Sequence, residues 1–109
     1  MTQSDMENVL KFIRRRKGTP ESVGYCLKLA QYAEDIGGGE TDIGTKQKAI
    51  VARSSRKFAE MQPRKGENLL YVRYLNEEGE FDGIAVKSRE DLENAQKKIK
   101  KGLENSKQF

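Results

Sequence analysis

At 109 residues, 35% apolar and 35% charged, the chain has the length of one domain, a thin core and a heavily charged surface. It has no histidine and a single cysteine, which excludes a histidine-based triad or dyad, the usual zinc site and an internal disulfide. The formal charge of +4 suits a nucleic-acid or acidic-protein partner, and equally a merely well-solvated surface.

Ser4-Asp5-Met6-Glu7 has the form of a capping box, and Met6, Val9, Leu10 and Ile13 follow at helical spacing. A helix over about 5–17 is predicted, closed by Arg14, Arg15, Arg16, Lys17 and Gly18. Thr19-Pro20-Glu21 caps and starts a second helix. Its apolar arc is wide: Val23, Cys26, Leu27 and Ala30 form one stripe, and Tyr25, Leu29, Tyr32 and Ile36 a second. Gly37-Gly38-Gly39 ends it.

From Thr45 as a cap, Ile50, Val51, Ser54, Phe58 and Met61 suggest the buried face of a third helix, stopped by Pro63. The period then changes. Leu69 to Leu75 and Phe81 to Lys87 read as two strands of a β-hairpin around Asn76-Glu77-Glu78-Gly79. Ser88 caps a last helix with a narrow stripe of Leu92, Ala95, Ile99 and Leu103.

The expected fold is α+β, with three N-terminal helices, an antiparallel hairpin and a C-terminal helix in one domain over 1–109. Residues 1–4 and 104–109 are expected to fray. The expected core is Val9, Leu10, Ile13, Val23, Leu27, Ala30, Ile50, Phe58, Leu70, Val72, Ile84, Val86, Leu92 and Ile99. No apolar run is long enough to cross a bilayer, and the polar, acidic Met1 to Glu7 is unlike a secretory signal. A cytoplasmic location, in a cell or an infected host cell, is the expectation.

Chemistry-bearing motifs are sparse. Cys26 falls within an apolar stripe and reads as a packing residue. No Gly-Lys-Ser/Thr follows the three glycines, so they make no phosphate loop, and the acids Glu77, Glu78, Glu80 and Asp82 match no calcium loop. Neither an enzyme nor a cofactor is expected.

The basic residues are what remain. Arg14, Arg15, Arg16 and Lys17 end the first helix, and Lys97-Lys98-Ile99-Lys100-Lys101 lies near the end of the last, where the helix dipole alone accounts for cations. Lys46, Lys48, Arg53, Arg56 and Lys57 belong to the third predicted helix, with Arg64 and Lys65 just beyond it. These side chains contact phosphates and base edges.

The order helix, helix, helix, hairpin resembles a winged helix-turn-helix domain over about residues 5–87. That resemblance implies a third helix in the major groove and a hairpin wing on the backbone. The link from Gly37 to Gly44 is longer than that family's turn, and the hairpin tip is acidic. A second, local stretch, Tyr71 to Asp82 followed by Ser88 to Ala95, looks like the acidic motif of the Phox-and-Bem family of interaction domains. It implies Glu78, Glu80, Asp82, Glu90 and Asp91 as contacts to a basic partner.

The expected function is non-enzymatic binding of nucleic acid through Lys and Arg of the first and third helices. The alternative is a protein-interaction module or inhibitor that docks on a charged protein or nucleoprotein complex, with Glu77, Glu78, Glu80 and Asp82 at the contact.

Overall fold

A computed structural model describes residues 3–16, 19–46, 49–64 and 70–108. The elements run α1 (Gln3–Arg15), α2 (Pro20–Gly37), a one-turn 3-10 helix (Gly38–Glu40), β1 (Asp42–Lys46), β2 (Ala49–Arg53), β3 (Lys57–Pro63), β4 (Leu70–Leu75), β5 (Phe81–Val86) and α3 (Arg89–Ser106). The five strands form one antiparallel sheet in the order β1-β2-β3-β4-β5. The domain is α+β as expected, but the predicted third helix is two strands and part of another.

The helices follow their caps. The Ser22 N–H donates to Thr19 Oγ1 at 3.2 Å, and Pro20 opens α2. At the other end of α2, Gly38 takes φ 67°, a conformation that suits glycine. The Asp91 N–H donates to Ser88 Oγ at 3.2 Å, and Asp91 Oδ2 accepts from the Lys87 N–H at 3.0 Å. Ser4 does not cap α1; it lies in the first turn of a helix that starts at Gln3. Met6 is exposed and Leu10 half-buried, so Val9, Phe12 and Ile13 form the buried face of α1.

The core lies between the helices and one face of the sheet. Ile50, Met61, Val72 and Ile84 line up across β2 to β5, the first three fully buried. Cys26, Leu29, Ala30 and Ala33 of α2 and Leu92, Ala95, Ile99 and Leu103 of α3 complete the cluster. Each large apolar side chain so buried contributes about 1.5–3 kcal/mol. Leu10, Val23, Leu27 and Ile84, expected in the core, are only half-buried.

The C-terminal tail does not fray at residue 104. Helix α3 continues to Ser106, and Asn105 and Ser106 are buried. Asn105 Nδ2 donates to the Leu75 carbonyl at 3.0 Å, and Gly102 lets the helix approach: a Cβ there would fall 2.7 Å from the Phe58 carbonyl oxygen.

The misread stretch, 45–62, has a local cause. Arg53 pairs with Lys57 and Ala52 with Ala59, leaving Phe58 as the extra residue of a β-bulge. Phe58 and Ala59 are both fully buried, and Lys57 and Glu60 flank them on the other face. The bulge interrupts the two-residue alternation that marks a strand.

Candidate nucleic-acid interface

Strand pairing fixes which side chains share the face opposite the helices. One row crosses the sheet as Gly44, Val51, Glu60, Arg73 and Gly83. A second holds Lys46 and Ala49 on β1 and β2, then Gln62, Tyr71 and Ala85 on β3 to β5. A third runs Asp42, Arg53 and Lys57 on β1 to β3, and the Phe81 ring, from a β5 residue whose β4 partner is the fully buried Leu75, lies beside Lys57. The described residues that line this face of β1 to β3 all come from strands, and Ala49, Val51 and Glu60 among them are buried.

Its centre is basic and aromatic. Lys57 Nζ lies 4.8 Å and Arg73 Cζ 5.6 Å from the centroid of the Phe81 ring. Arg64 Cζ lies 5.3 Å from the Tyr71 ring, and that ring reaches over Gly83, where a Cβ would fall 2.1 Å from Tyr71 Oη. Glycine at that position lets the tyrosine lie along the sheet. The cations hold positions over aromatic faces, each such contact worth about 0.5–1 kcal/mol at an exposed site.

One acid sits among them. Glu60 accepts hydrogen bonds from Lys57 Nζ and, at 3.0 Å, from Gln62 Nε2. Burial pushes its carboxyl up, but those hydrogen bonds and the charges of Lys57 and Arg73 outweigh burial and hold it below the ordinary carboxylate value. Lys46, Ala49, Val51, Arg53, Lys57, Glu60 and Gln62 line a shallow depression of about 480 Å³ on this face.

The predicted basic residues are partly brought together. Arg14 and Arg15 are exposed in the last turn of α1, which lies beside Thr45 at the end of β1. Arg15 and Arg16 share a crevice with Lys46, and Lys46 in turn borders the sheet depression. Arg53 and Lys57 face that depression, but from strands rather than from a recognition helix. This removes the winged helix-turn-helix arrangement. Arg56 lies half-buried in the β2–β3 turn, and Arg64 is exposed after β3. Lys17, Lys48 and Lys65 lie outside the described residues. Tyr71, Arg73 and Phe81 were not singled out from the sequence as site residues. The alternation of Tyr71 and Arg73 against Val72 was the available signal.

The C-terminal lysines go elsewhere. Tyr74, Glu77, Glu78, Glu80, Asp82, Lys98 and Lys101 meet in a crevice between the hairpin tip and α3. Lys101 Nζ is 3.9 Å from Glu77 Oε1, and Lys98 Nζ is 5.6 Å from the Tyr74 ring. Burial and then the Asp82 charge raise the Tyr74 hydroxyl. Asn76 Oδ1 orders the tip, accepting from the N–H groups of Glu78 at 2.9 Å and Glu80 at 3.0 Å.

Cys26 is buried in the core, and burial pushes its thiol up, away from the reactive thiolate. No group of acids, cysteine or histidine that would hold a metal occurs among the described residues, and none of their helices is long and apolar enough to cross a membrane. No family model, curated protein or solved structure matches this chain.

Proposed function

We propose that the protein is a non-enzymatic nucleic-acid-binding domain, and that its ligand is a single strand laid across the basic, aromatic face of the sheet. The observation that carries this reading is the placement of Lys46, Arg53, Lys57 and Arg73 on one face with Tyr71 and Phe81, where Lys57 and Arg73 lie over the Phe81 ring and Arg64 over that of Tyr71. Cations neutralise phosphates and release counterions. Rings and guanidinium planes give unpaired bases a surface to stack on, worth about 1–3 kcal/mol per base. A duplex offers no such bases, and a flat sheet does not enter its major groove as a helix does. Arg14 and Arg15 extend the positive path past Lys46 at the rim.

The test is fluorescence anisotropy of a labelled oligonucleotide, single-stranded and as its duplex, at two salt concentrations. Tighter binding of the single strand, falling steeply with salt, is expected. Equal affinity for both forms removes the stacking platform, and no binding at low salt removes the function.

A second reading rests on the Asn76-ordered hairpin tip, which holds Glu77, Glu78 and Glu80 exposed to solvent. It makes the tip a dock for a basic protein or nucleoprotein surface. Reversing these three charges would then break a complex recovered by pull-down, whereas an unchanged complex removes the tip from the interface.

A further inference from the structure

We infer that the crevice between the last turn of α1 and the end of β1 is a phosphate-binding pocket built around Arg16. Its walls are Phe12, Arg15, Arg16, Thr45 and Lys46, enclosing about 590 Å³. Immediately beside it, a second depression shares Arg15 and Thr45 and adds Asn8, Lys11 and Arg14.

Three observations point to an anion. The first is charge. Among the described residues, the two depressions are lined by five cations, Lys11, Arg14, Arg15, Arg16 and Lys46, and by no acid. Five exceeds the formal charge of the whole chain, +4. The dipole of α1 places about half a negative charge at its C-terminus, so with Lys11 and Lys46 gathered beside Arg14 to Arg16 it offsets only part of the charge, less than the sequence alone suggests. The hairpin–α3 crevice shows the contrast, since Lys98 and Lys101 there stand among Glu77, Glu78, Glu80 and Asp82.

The second is an orphaned donor. Arg16 Nε is shut off from solvent and has no hydrogen-bond partner among the described residues, although the residue as a whole is half-buried. A buried guanidinium N–H without an acceptor is costly, because water has been removed and nothing replaces it. The other buried orphan among the described residues, Thr41 Oγ1, is a neutral hydroxyl packed against Gly37. The third is the donor set. Guanidinium forks, an ammonium and a hydroxyl supply donors suited to a phosphate's oxygens, and Arg binds them in bidentate fashion.

The pocket does not depend on the nucleic-acid reading. Phosphate is the shared chemistry, and its source is either a backbone phosphate of a bound strand or a small phosphorylated molecule. Lys46 borders both the pocket and the sheet depression, so a strand on the sheet has a continuous path into it.

Inorganic phosphate titrated into the protein, followed by calorimetry at constant ionic strength with chloride as the balancing ion, tests the pocket. Saturable phosphate binding is expected, weakened at least tenfold by Arg16→Gln and by Lys46→Gln and unchanged by Lys98→Gln. The Lys46 variant keeps the test decisive if Arg16→Gln fails to fold, which thermal melts would report. Absence of saturable binding, or binding that survives both substitutions, overturns the proposal. Competition between phosphate and a labelled oligonucleotide assigns the pocket to a backbone phosphate, and phosphate binding without competition assigns it to a small phosphorylated molecule. A protein that binds phosphate but no oligonucleotide retains the pocket and loses the nucleic-acid function.

Discussion

The two faces of the sheet are built from alternate residues of the same strands, yet they do opposite things. On one, Ile50, Met61 and Val72 are sealed under α2 and α3. On the other, one position along from each, Val51, Glu60 and Arg73 form a row that carries charge, with Glu60 buried and Arg73 half-buried. The covered face is apolar because burying an unpaired charge there would be prohibitive. On this second face Lys46 and Arg53 are exposed, Lys57 and Arg73 lie over the Phe81 ring, and Glu60, though buried, is paired with Lys57. The comparison assigns stability to one face and recognition to the other.

That assignment is open to direct attack. Met61→Ala or Ile50→Ala should lose about 2–5 kcal/mol of unfolding free energy in urea titrations, because each leaves a cavity in the closed core. Oligonucleotide affinity of the molecules still folded should be unchanged. Gly102→Ala should cost about 1–3 kcal/mol, since its methyl group meets the Phe58 carbonyl oxygen at 2.7 Å and the Leu75 nitrogen at 3.2 Å. In an open helix the same change would gain about 1 kcal/mol, so the sign of the effect reads out the close packing of α3.

Substitutions on the charged face should show the reverse pattern. Arg53→Gln should lower the salt dependence of single-stranded oligonucleotide binding by about 0.7 units and move stability by no more than about 0.5 kcal/mol. Glu60 bridges the two roles. Its carboxyl is lowered in the folded state, so it stabilises the fold above the unfolded carboxyl value of about 4.3. That stabilisation is lost as pH falls through the lower folded value. Glu60→Gln should therefore flatten the acid limb of a stability–pH profile, and it should strengthen nucleic-acid binding by removing a negative charge from the face. The smallest effect belongs to the hairpin tip. Glu77→Lys with Glu78→Lys should change oligonucleotide affinity by no more than about twofold, because both are exposed and line the crevice toward α3 rather than the sheet depression.

Much of this frame was legible in the chain. Thr19-Pro20, Ser88 and the glycines after Ile36 marked helix ends by local chemistry that tertiary packing did not override. Leu70, Val72 and Tyr74 alternate with Tyr71 and Arg73 along β4, and β4 joins β5 through a glycine turn with Gly79 at φ 85°. The stretch from Thr45 to Met61 was not legible. Ala49-Ile50-Val51-Ala52 is buried without interruption, and such a run has no strand period to read. The bulge at Phe58 then shifts the next apolar residues onto a spacing that mimics a helix. Pro63 is the last residue of β3, and no β2 residue pairs with it, so it ended a strand rather than a helix.

The site suffered from the same error. Arg53 and Lys57 are legible as basic residues of the segment, but a helix gives them the wrong neighbours. Strand register is what places Arg73, Tyr71 and Phe81 beside them, and register joins residues far apart in sequence. The clusters that looked alike in sequence separate in space. Arg14 to Arg16 join Lys46 at the rim of the sheet, whereas Lys98 and Lys101 face the acids of the hairpin.

The most direct measurement compares two triple variants that remove the same charge. One is Arg53→Gln, Lys57→Gln and Arg73→Gln on the charged face, and the other is Lys97→Gln, Lys98→Gln and Lys101→Gln on α3. Single-stranded oligonucleotide binding is followed across a salt series for each. The charged-face variant should bind far more weakly and lose about two units of salt dependence, at about 0.7 per phosphate contact, while the α3 variant tracks the parent protein. Equal losses in the two variants would show that net charge alone drives binding, and would contradict a recognition surface on the sheet.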